Sequence, residues 1–369
     1  MPELYIGLMS GTSLDGVDAV LAQFDAPGQP ITLLGHLHQP FPHALREELL
    51  SLNTPGSNEI HRAALAGNAV ARSYADLVAQ LLEQTGHQPA DIRALGAHGQ
   101  TVRHRPGAFD GCGYTTQLLN GALLAEQAGI AVVCDFRSRD IAAGGQGAPL
   151  VPAFHRAVFG REDADVAVLN LGGISNISLL HQDGRTLGFD CGPANCLMDA
   201  WIARHQGLEF DRDGAWAAEG QVLPELLQAL LAEPFFALAA PKSSGRDLFN
   251  LDWFMRHLSG HESPQDVQAT LLELSALTCA EALLNSADSV KELLVCGGGA
   301  LNTTLMLRLQ ALLPQVTVMR SNARGLPLMQ VEAAAFAWLA MRFIRGLPGN
   351  LPAVTGAAGP RVLGALHPA

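Results

Sequence analysis

The residues best suited to chemistry gather at glycine-rich turns that follow short apolar runs. Residues 166–169 read as a buried strand, Asn170-Leu171-Gly172-Gly173 as a turn where main chain comes close to a ligand, and residues 177–180 as the returning strand. A third short apolar piece, residues 187–189, ends in Asp190. One carboxylate at the mouth of a glycine-lined crevice suits a general base. The same residues also suit a hairpin whose Asp caps the helix starting near Asn195, and both readings stand at this point.

A second turn of this kind sits near the start. Residues 4–8 form a strand, Met9-Ser10-Gly11-Thr12-Ser13-Leu14-Asp15-Gly16-Val17-Asp18 the turn, and residues 19–24 the return. Two glycines, three hydroxyls and two carboxylates offer N–H and O–H groups to phosphate oxygens. No Gly-Lys-Ser/Thr follows, so this is not a Walker A loop, and a solvated hairpin is the alternative. Laid over one another, the two hairpins form an internal repeat, which suits a duplicated domain gripping a polyphosphate from both sides. Gly297-Gly298-Gly299-Ala300-Leu301-Asn302, between the strand 293–296 and a helix, lets a planar ring or a phosphate lie against backbone; a tight packing turn is its plainer reading.

Polar groups at other strand ends complete the candidates. His98 follows the strand 92–95 and either orients a substrate or sits as a hydrogen-bonded turn histidine. Arg137 and Asp140 lie after the strand 131–134, where a cation for an anionic substrate and a self-satisfied surface network are both open. Phe210-Asp211-Arg212-Asp213-Gly214 and the segment 241–246 are polar islands that suit an active-site rim or ordinary loops.

The elements that must position these groups alternate as in an α/β protein. A helix from Asn58 through Glu83 has Ile60, Leu65, Tyr74, Leu77, Val78 and Leu81 on its apolar face and Gly86 as its stop; Asn120, Pro149 with Pro152, and Ser263 with Pro264 start others. The small-residue helix 332–340 suits close contact between domains. With 369 residues, two cores are expected, divided as 1–145 and 146–369, with the last residues free to pack back on the first domain. The net charge of -12 argues against nucleic acid or anionic lipid as partners. Met1-Pro2-Glu3 opens no signal-peptide pattern and no apolar run approaches a membrane span, so a cytoplasmic protein is expected. Six scattered cysteines without a Cys-x-x-Cys pair make a zinc site a poor reading.

Taken together, the paired hairpins, Gly297-Gly298-Gly299 before a helix and the Ala-rich helix resemble the actin, Hsp70 and sugar-kinase superfamily. More narrowly, residues 11–18, His98-Gly99-Gln100-Thr101, residues 142–149, Gly188-Phe189-Asp190-Cys191-Gly192-Pro193 and Pro241-Lys242-Ser243 resemble the anhydro-N-acetylmuramic acid kinases over essentially the whole chain. The resemblance implies a duplicated actin-like ATPase (ribonuclease H-like) fold with a central cleft. It also implies a homodimeric enzyme of cell-wall recycling that uses ATP and Mg²⁺ to open the anhydro ring with water and phosphorylate O6 of the amino sugar. On that pattern Asp190 is the general base and Gly11, Thr12, Ser13, Leu14, Asp15, Gly16, Val17 and Asp18 bind ATP, with Asn170, Gly172, Gly173, Gly297, Gly298, Gly299 and Asn302 completing the nucleotide site. His98, Gln100, Thr101, Arg137, Asp140 and Gln146 fall to the sugar, Arg137 or Arg103 meeting its lactyl carboxylate. Where the superfamily usually carries an Asp before the hairpin glycine, this chain has Met9 and Asn170, so metal positioning falls to other groups, Asp15 or Asp18 through water. A plain sugar kinase and an ATP-switch protein share the nucleotide motifs and are the two rival readings.

Overall fold

The strands expected at the start are β1 (Glu3–Met9) and β2 (Gly16–Phe24), an antiparallel hairpin that β3 (Thr32–Pro40) extends. β4 (Ile92–Ala97) joins the other edge of β1 in parallel. A separate hairpin of β5 (Gln100–Pro106) and β6 (Gly113–Leu118), with no signal in the hydrophobic pattern, precedes β7 (Val132–Cys134), which pairs in parallel with β4. The computed structural model describes all residues except Met1, Thr12, Ser13, Asp15, residues 26–30, Pro241, Arg246, Asp247 and Asp288.

The chain forms two compact units, Met1–Val158 with Gln330–Ala369, and Phe159–Met329. The boundary expected at residue 145 moves to 158 because the helix Val151–Phe159 packs on the first unit, Phe154 lying 6.1 Å from the Trp338 ring. The final forty residues also return to that unit, so the second ends well before the C-terminus.

In the first unit the helix Glu59–Thr85 buries Val70, Tyr74, Leu77 and Leu81 against one face of the sheet. Ile60 and Leu65, expected on that face, are exposed. At 3.6 residues per turn Leu65 falls opposite Tyr74, and Ile60 precedes the first buried residue, Ala66. Gly86, left-handed at φ 69°, ends the helix as expected.

The helix Val331–Ile344 covers the other face of the same sheet, against β1, β4 and β2. Gly7 and Gly96 are register partners, and a Cβ on them would stand 1.8 Å from the Ala333 carbonyl oxygen and 2.0 Å from that of Phe336. Only glycine lets helix and strands approach this closely.

The second unit repeats the plan. β8 (Val166–Leu171), β9 (Ile174–Leu180) and β10 (Thr186–Pro193) are an antiparallel meander; β11 (Glu292–Cys296) joins β8 in parallel and β12 (Thr317–Arg320) joins β11. Its order β10-β9-β8-β11-β12 copies β3-β2-β1-β4-β7 of the first sheet, which adds an antiparallel edge strand, Ala365–His367. This duplication is the ribonuclease H-like plan of the actin-type ATPases. The helix Pro264–Leu284 is, by length and composition, apolar enough to cross a membrane, but 78% of that stretch is buried within the fold; no other helix among the described residues meets the same measure.

Candidate functional site

In the second unit Asp190 does not end its strand. β10 runs on to Pro193, and the register slips between Asp190 and Gly192, leaving Cys191 as the extra residue of a bulge. A bulge bends the strand and re-aims its side chains. The Asp190 N–H donates to the Lys242 carbonyl at 3.0 Å, and the Ser244 N–H donates to Asp190 Oδ2 at 2.8 Å. Asp190 therefore faces the strap around Lys242–Ser244 and does not cap the helix Asn195–Gln206. Burial pushes its carboxyl up to about 7, against the Ser244 hydrogen bond and the Lys242 charge, which pull it down. A carboxylate that titrates near neutrality is matched to taking a proton there.

The glycine corner lies at the end of β8. The Ala194 and Asn195 N–H groups donate to Gly173 and Gly172 carbonyls, tying the turn to the start of the helix Asn195–Gln206, and Asn195 Nδ2 donates to the Leu171 carbonyl at 3.0 Å. Gly297, at φ 80°, lies so close that a Cβ would stand 2.5 Å from Asn170 Oδ1. Asn170, Gly172, Gly173, Gly297 and Gly299 thus come together, with Asn195 as a member sequence reasoning missed. Gly298 is exposed, and a Cβ there would meet nothing nearer than 3.9 Å, so its backbone face is open. Asn302 is otherwise engaged: its Oδ1 caps the helix Thr303–Leu312 by accepting from the Leu305 N–H.

The first unit carries the other candidates. The His98 Nδ1–H donates to the Ser10 carbonyl at 3.2 Å, and its Nε2 accepts from Arg137 Nη2 at 3.0 Å and Nε at 3.3 Å. This fixes the neutral tautomer. Burial first, then the Arg137 charge, holds His98 down to about 3. Arg137 Nη1 also donates to the Gly147 carbonyl, and burial lowers the guanidinium to about 10 against the support of Glu332 and Asp140. Among the described residues one N–H on each terminal nitrogen donates no hydrogen bond, the number of donors a carboxylate can accept in pairs.

Gln100 Nε2 donates to the Gly11 carbonyl, while its buried Oε1 has no partner among the described residues. Thr101 Oγ1 accepts from Gln117 Nε2, and the Gln146 side chain is exposed. Arg103 is taken up by Glu59 and the Leu52 carbonyl. Asp140 is fully buried: its carboxylate accepts from the Gly147 N–H, Asn350 Nδ2 and Thr355 Oγ1, so its reach to a ligand is closed and it shapes the loop 145–147 instead.

Leu14, at φ 58°, and Gly16, where a Cβ would stand 2.3 Å from the Gln39 carbonyl oxygen, set the first turn; Val17 is in the core. Thr12, Ser13 and Asp15 lie outside the described residues. Asp18 Oδ1 is held by His36 Nε2 at 2.9 Å and His38 Nδ1 at 3.2 Å.

Residues 3–369 match the family model described as anhydro-N-acetylmuramic acid kinase. The chain belongs to the anhydro-N-acetylmuramic acid kinase family. It is similar to the anhydro-N-acetylmuramic acid kinase of Variovorax paradoxus (strain S110), 60% identical over 374 residues covering 100% of this chain and 99% of that one. It is likewise similar to that of Pseudomonas paraeruginosa (strain DSM 24068 / PA7), 54% identical with 99% of each covered. Among solved structures it resembles the activator of the 2-hydroxyisocaproyl-CoA dehydratase from Clostridium difficile with bound ADPNP, at TM-score 0.47 and 12% identity over 93% of this chain and 96% of that one. It also resembles the ROK hexokinase from Thermus thermophilus, at TM-score 0.37 and 16% identity over 93% and 99%.

As a member of the anhydro-N-acetylmuramic acid kinase family the chain is a sugar-directed kinase, and the ATP-switch reading falls away. Among the described residues no group of three or more His, Cys, Asp or Glu side chains is placed to hold a metal ion. A Mg²⁺ that keeps most of its water and leans on phosphate oxygens needs only one or two carboxylates, so the residues present are compatible with that mode alone.

Proposed function

We propose that this kinase uses ATP to convert 1,6-anhydro-N-acetylmuramic acid to N-acetylmuramic acid 6-phosphate and ADP, with Asp190 as the general base, in peptidoglycan recycling. The observation that carries the reading is Asp190 itself: a carboxylate beside a bulge, raised by burial to near neutrality, with Oδ2 anchored by Ser244 and Oδ1 accepting no hydrogen bond among the described residues. Oδ1 takes a proton from a water at the anomeric carbon, as the base of an inverting glycosidase does. The water oxygen bonds to C1, the C1–O6 bond breaks, and O6 leaves as the nucleophile that accepts the phosphoryl group. Bound ATP would supply that group, with ADP as the leaving group, and Mg²⁺ on its phosphate oxygens would neutralise the charge. The glycine corners at Gly11 and Gly172–Gly173, with the open Gly298 backbone, suit phosphate oxygens, and Asp15 or Asp18 would reach the metal through water.

On the sugar side Arg137 offers its two remaining N–H groups to the lactyl carboxylate, held in place by neutral His98. Gln100 and Thr101 begin the strand beside them, and Gln146 is free to reach hydroxyls. The family likeness supports a cytoplasmic homodimer, which light scattering of the purified protein tests; a monomer would remove the dimer.

The deciding experiment pairs isotope and mutation. In H₂¹⁸O the product carries label at C1 if water opens the ring, and none if the enzyme is a plain sugar kinase. Asp190→Asn lowers turnover by at least about 10³-fold with the ATP KM little changed; wild-type turnover in that variant would remove Asp190 as base.

A further inference from the structure

The strap that meets Asp190 comes from a segment far along the chain, and it brings the one cationic side chain placed to act on that carboxylate among the described residues. The Lys242 ammonium does not pair with Asp190. Its Nζ donates to the Phe235 carbonyl at 3.2 Å and the Phe236 carbonyl at 3.1 Å, and lies over the Phe235 ring, 4.7 Å from its centre. These carbonyls belong to the short helix Pro234–Ala237; the Phe235 oxygen also accepts the Leu238 N–H at 3.2 Å, and carbonyls at a helix C-terminus favour a cation.

The berth is rigid. Phe235 and Phe236 both pack on the buried Phe249, and the Phe236 ring is so close to Gly192 that a Cβ there would stand 2.7 Å away. The backbone of the same lysine accepts the Asp190 N–H, so side chain and main chain of one residue bracket the base.

The consequence for Asp190 follows from Coulomb's law. A lysine in direct contact would hold the carboxylate ionised far below neutrality and make it a weak base, whereas burial with no cation nearby would leave it protonated at neutral pH. An ammonium berthed on carbonyls, near but not touching, lies between these limits. The other titratable neighbours do not supply the charge. Cys191, on the same strand, is pushed up by burial and by its hydrogen bond with Cys279 of the helix Pro264–Leu284, and stays a neutral thiol.

We propose that Lys242 is a positioning residue for the reaction: berthed on the Phe235 and Phe236 carbonyls, it anchors the strap and governs, without touching it, how readily the Asp190 carboxylate takes a proton. This rests on the reading of Asp190 as the base.

The test is the pH profile of kcat/KM for the full-length protein with ATP and the anhydro sugar. In the wild type the rate falls away on the acid side near pH 7. In the neutral variants Lys242→Met and Lys242→Gln this limb moves upward by about one pH unit, a roughly tenfold loss below the limb with the alkaline plateau nearly kept. Lys242→Arg retains the charge and restores most of the wild-type limb. An unmoved limb with a uniform loss at every pH, or an equal displacement in Lys242→Arg, overturns the inference. Two neutral variants that fail to fold would assign Lys242 to the fold alone and overturn it as well. Asp190→Asn separates the two ideas: if it still turns over, the base reading fails, whereas an inactive Asp190→Asn beside an unmoved Lys242→Met limb sinks only the role of Lys242.

Discussion

The two sheets place corresponding residues in the same cross-strand ladder and fill it with opposite chemistry. Across β1, β2 and β3 the register aligns Met9, Asp18 and His38; across β8, β9 and β10 it aligns Asn170, Asn176 and Asp190. Each ladder holds one carboxylate. Burial alone would raise that of Asp18, but hydrogen bonds from His36 and His38, with their charges, outweigh it and leave the carboxyl below its usual range. Among the described residues Asp190 has a backbone N–H and a nearby ammonium that does not touch it, so burial wins and it rises to about 7. Topology is shared, and the partners of the carboxylate decide whether it is a fixed charge or a working base.

The backbone level shows the same divergence, and there the largest effect is expected. Gly7 and Gly96 face each other in the first sheet beneath the helix Val331–Ile344, where the second sheet pairs Val168 with Leu294. Gly96→Val would force a side chain into the Phe336 carbonyl and cost about 3 kcal/mol or the fold itself, read as a fall in Tm. A variant of unchanged Tm would mean the helix is not seated on that glycine.

Next in size, Asp190→Asn stabilises the protein. The folded-state carboxyl is raised, so its contribution is fully present below the unfolded pKa of about 4 and is lost as pH rises through about 7. The gain of Asp190→Asn in urea unfolding should therefore grow from about pH 4 to about pH 8 and then level off. Smallest is Asp18→Asn, which has the opposite sign. The lowered carboxyl contributes above its unfolded pKa and loses that as pH falls through its lower folded value, so the variant loses about 1 kcal/mol near neutrality and less in acid. Equal signs for the two variants would break the comparison of the ladders.

What could be read from the chain alone were features with short-range causes. Gly-rich turns after apolar runs placed both hairpins and the triple-glycine corner, because positive φ and close backbone approach need glycine locally. The role of Asp190 was open between base and helix cap, since its decisive neighbours, Lys242 and Ser244, are distant in sequence. Asp140 looked ligand-facing beside Arg137, yet Asn350 and Thr355, which close it off, come from the returning C-terminal segment. The β5–β6 hairpin has charged and polar residues on both faces and so no period to find. The helix Val331–Ile344 announced close packing through its alanines, but which sheet received it was written only in Gly7 and Gly96.

The first unit is built from both ends of the chain, and synthesis is directional. When residue 329 leaves the ribosome every strand of the second sheet already exists, while the first sheet still shows a bare face with two vacant glycine seats. The half that begins first is therefore completed last, and until its closing helix emerges the nascent enzyme exposes an apolar surface that a chaperone or a neighbouring chain can find.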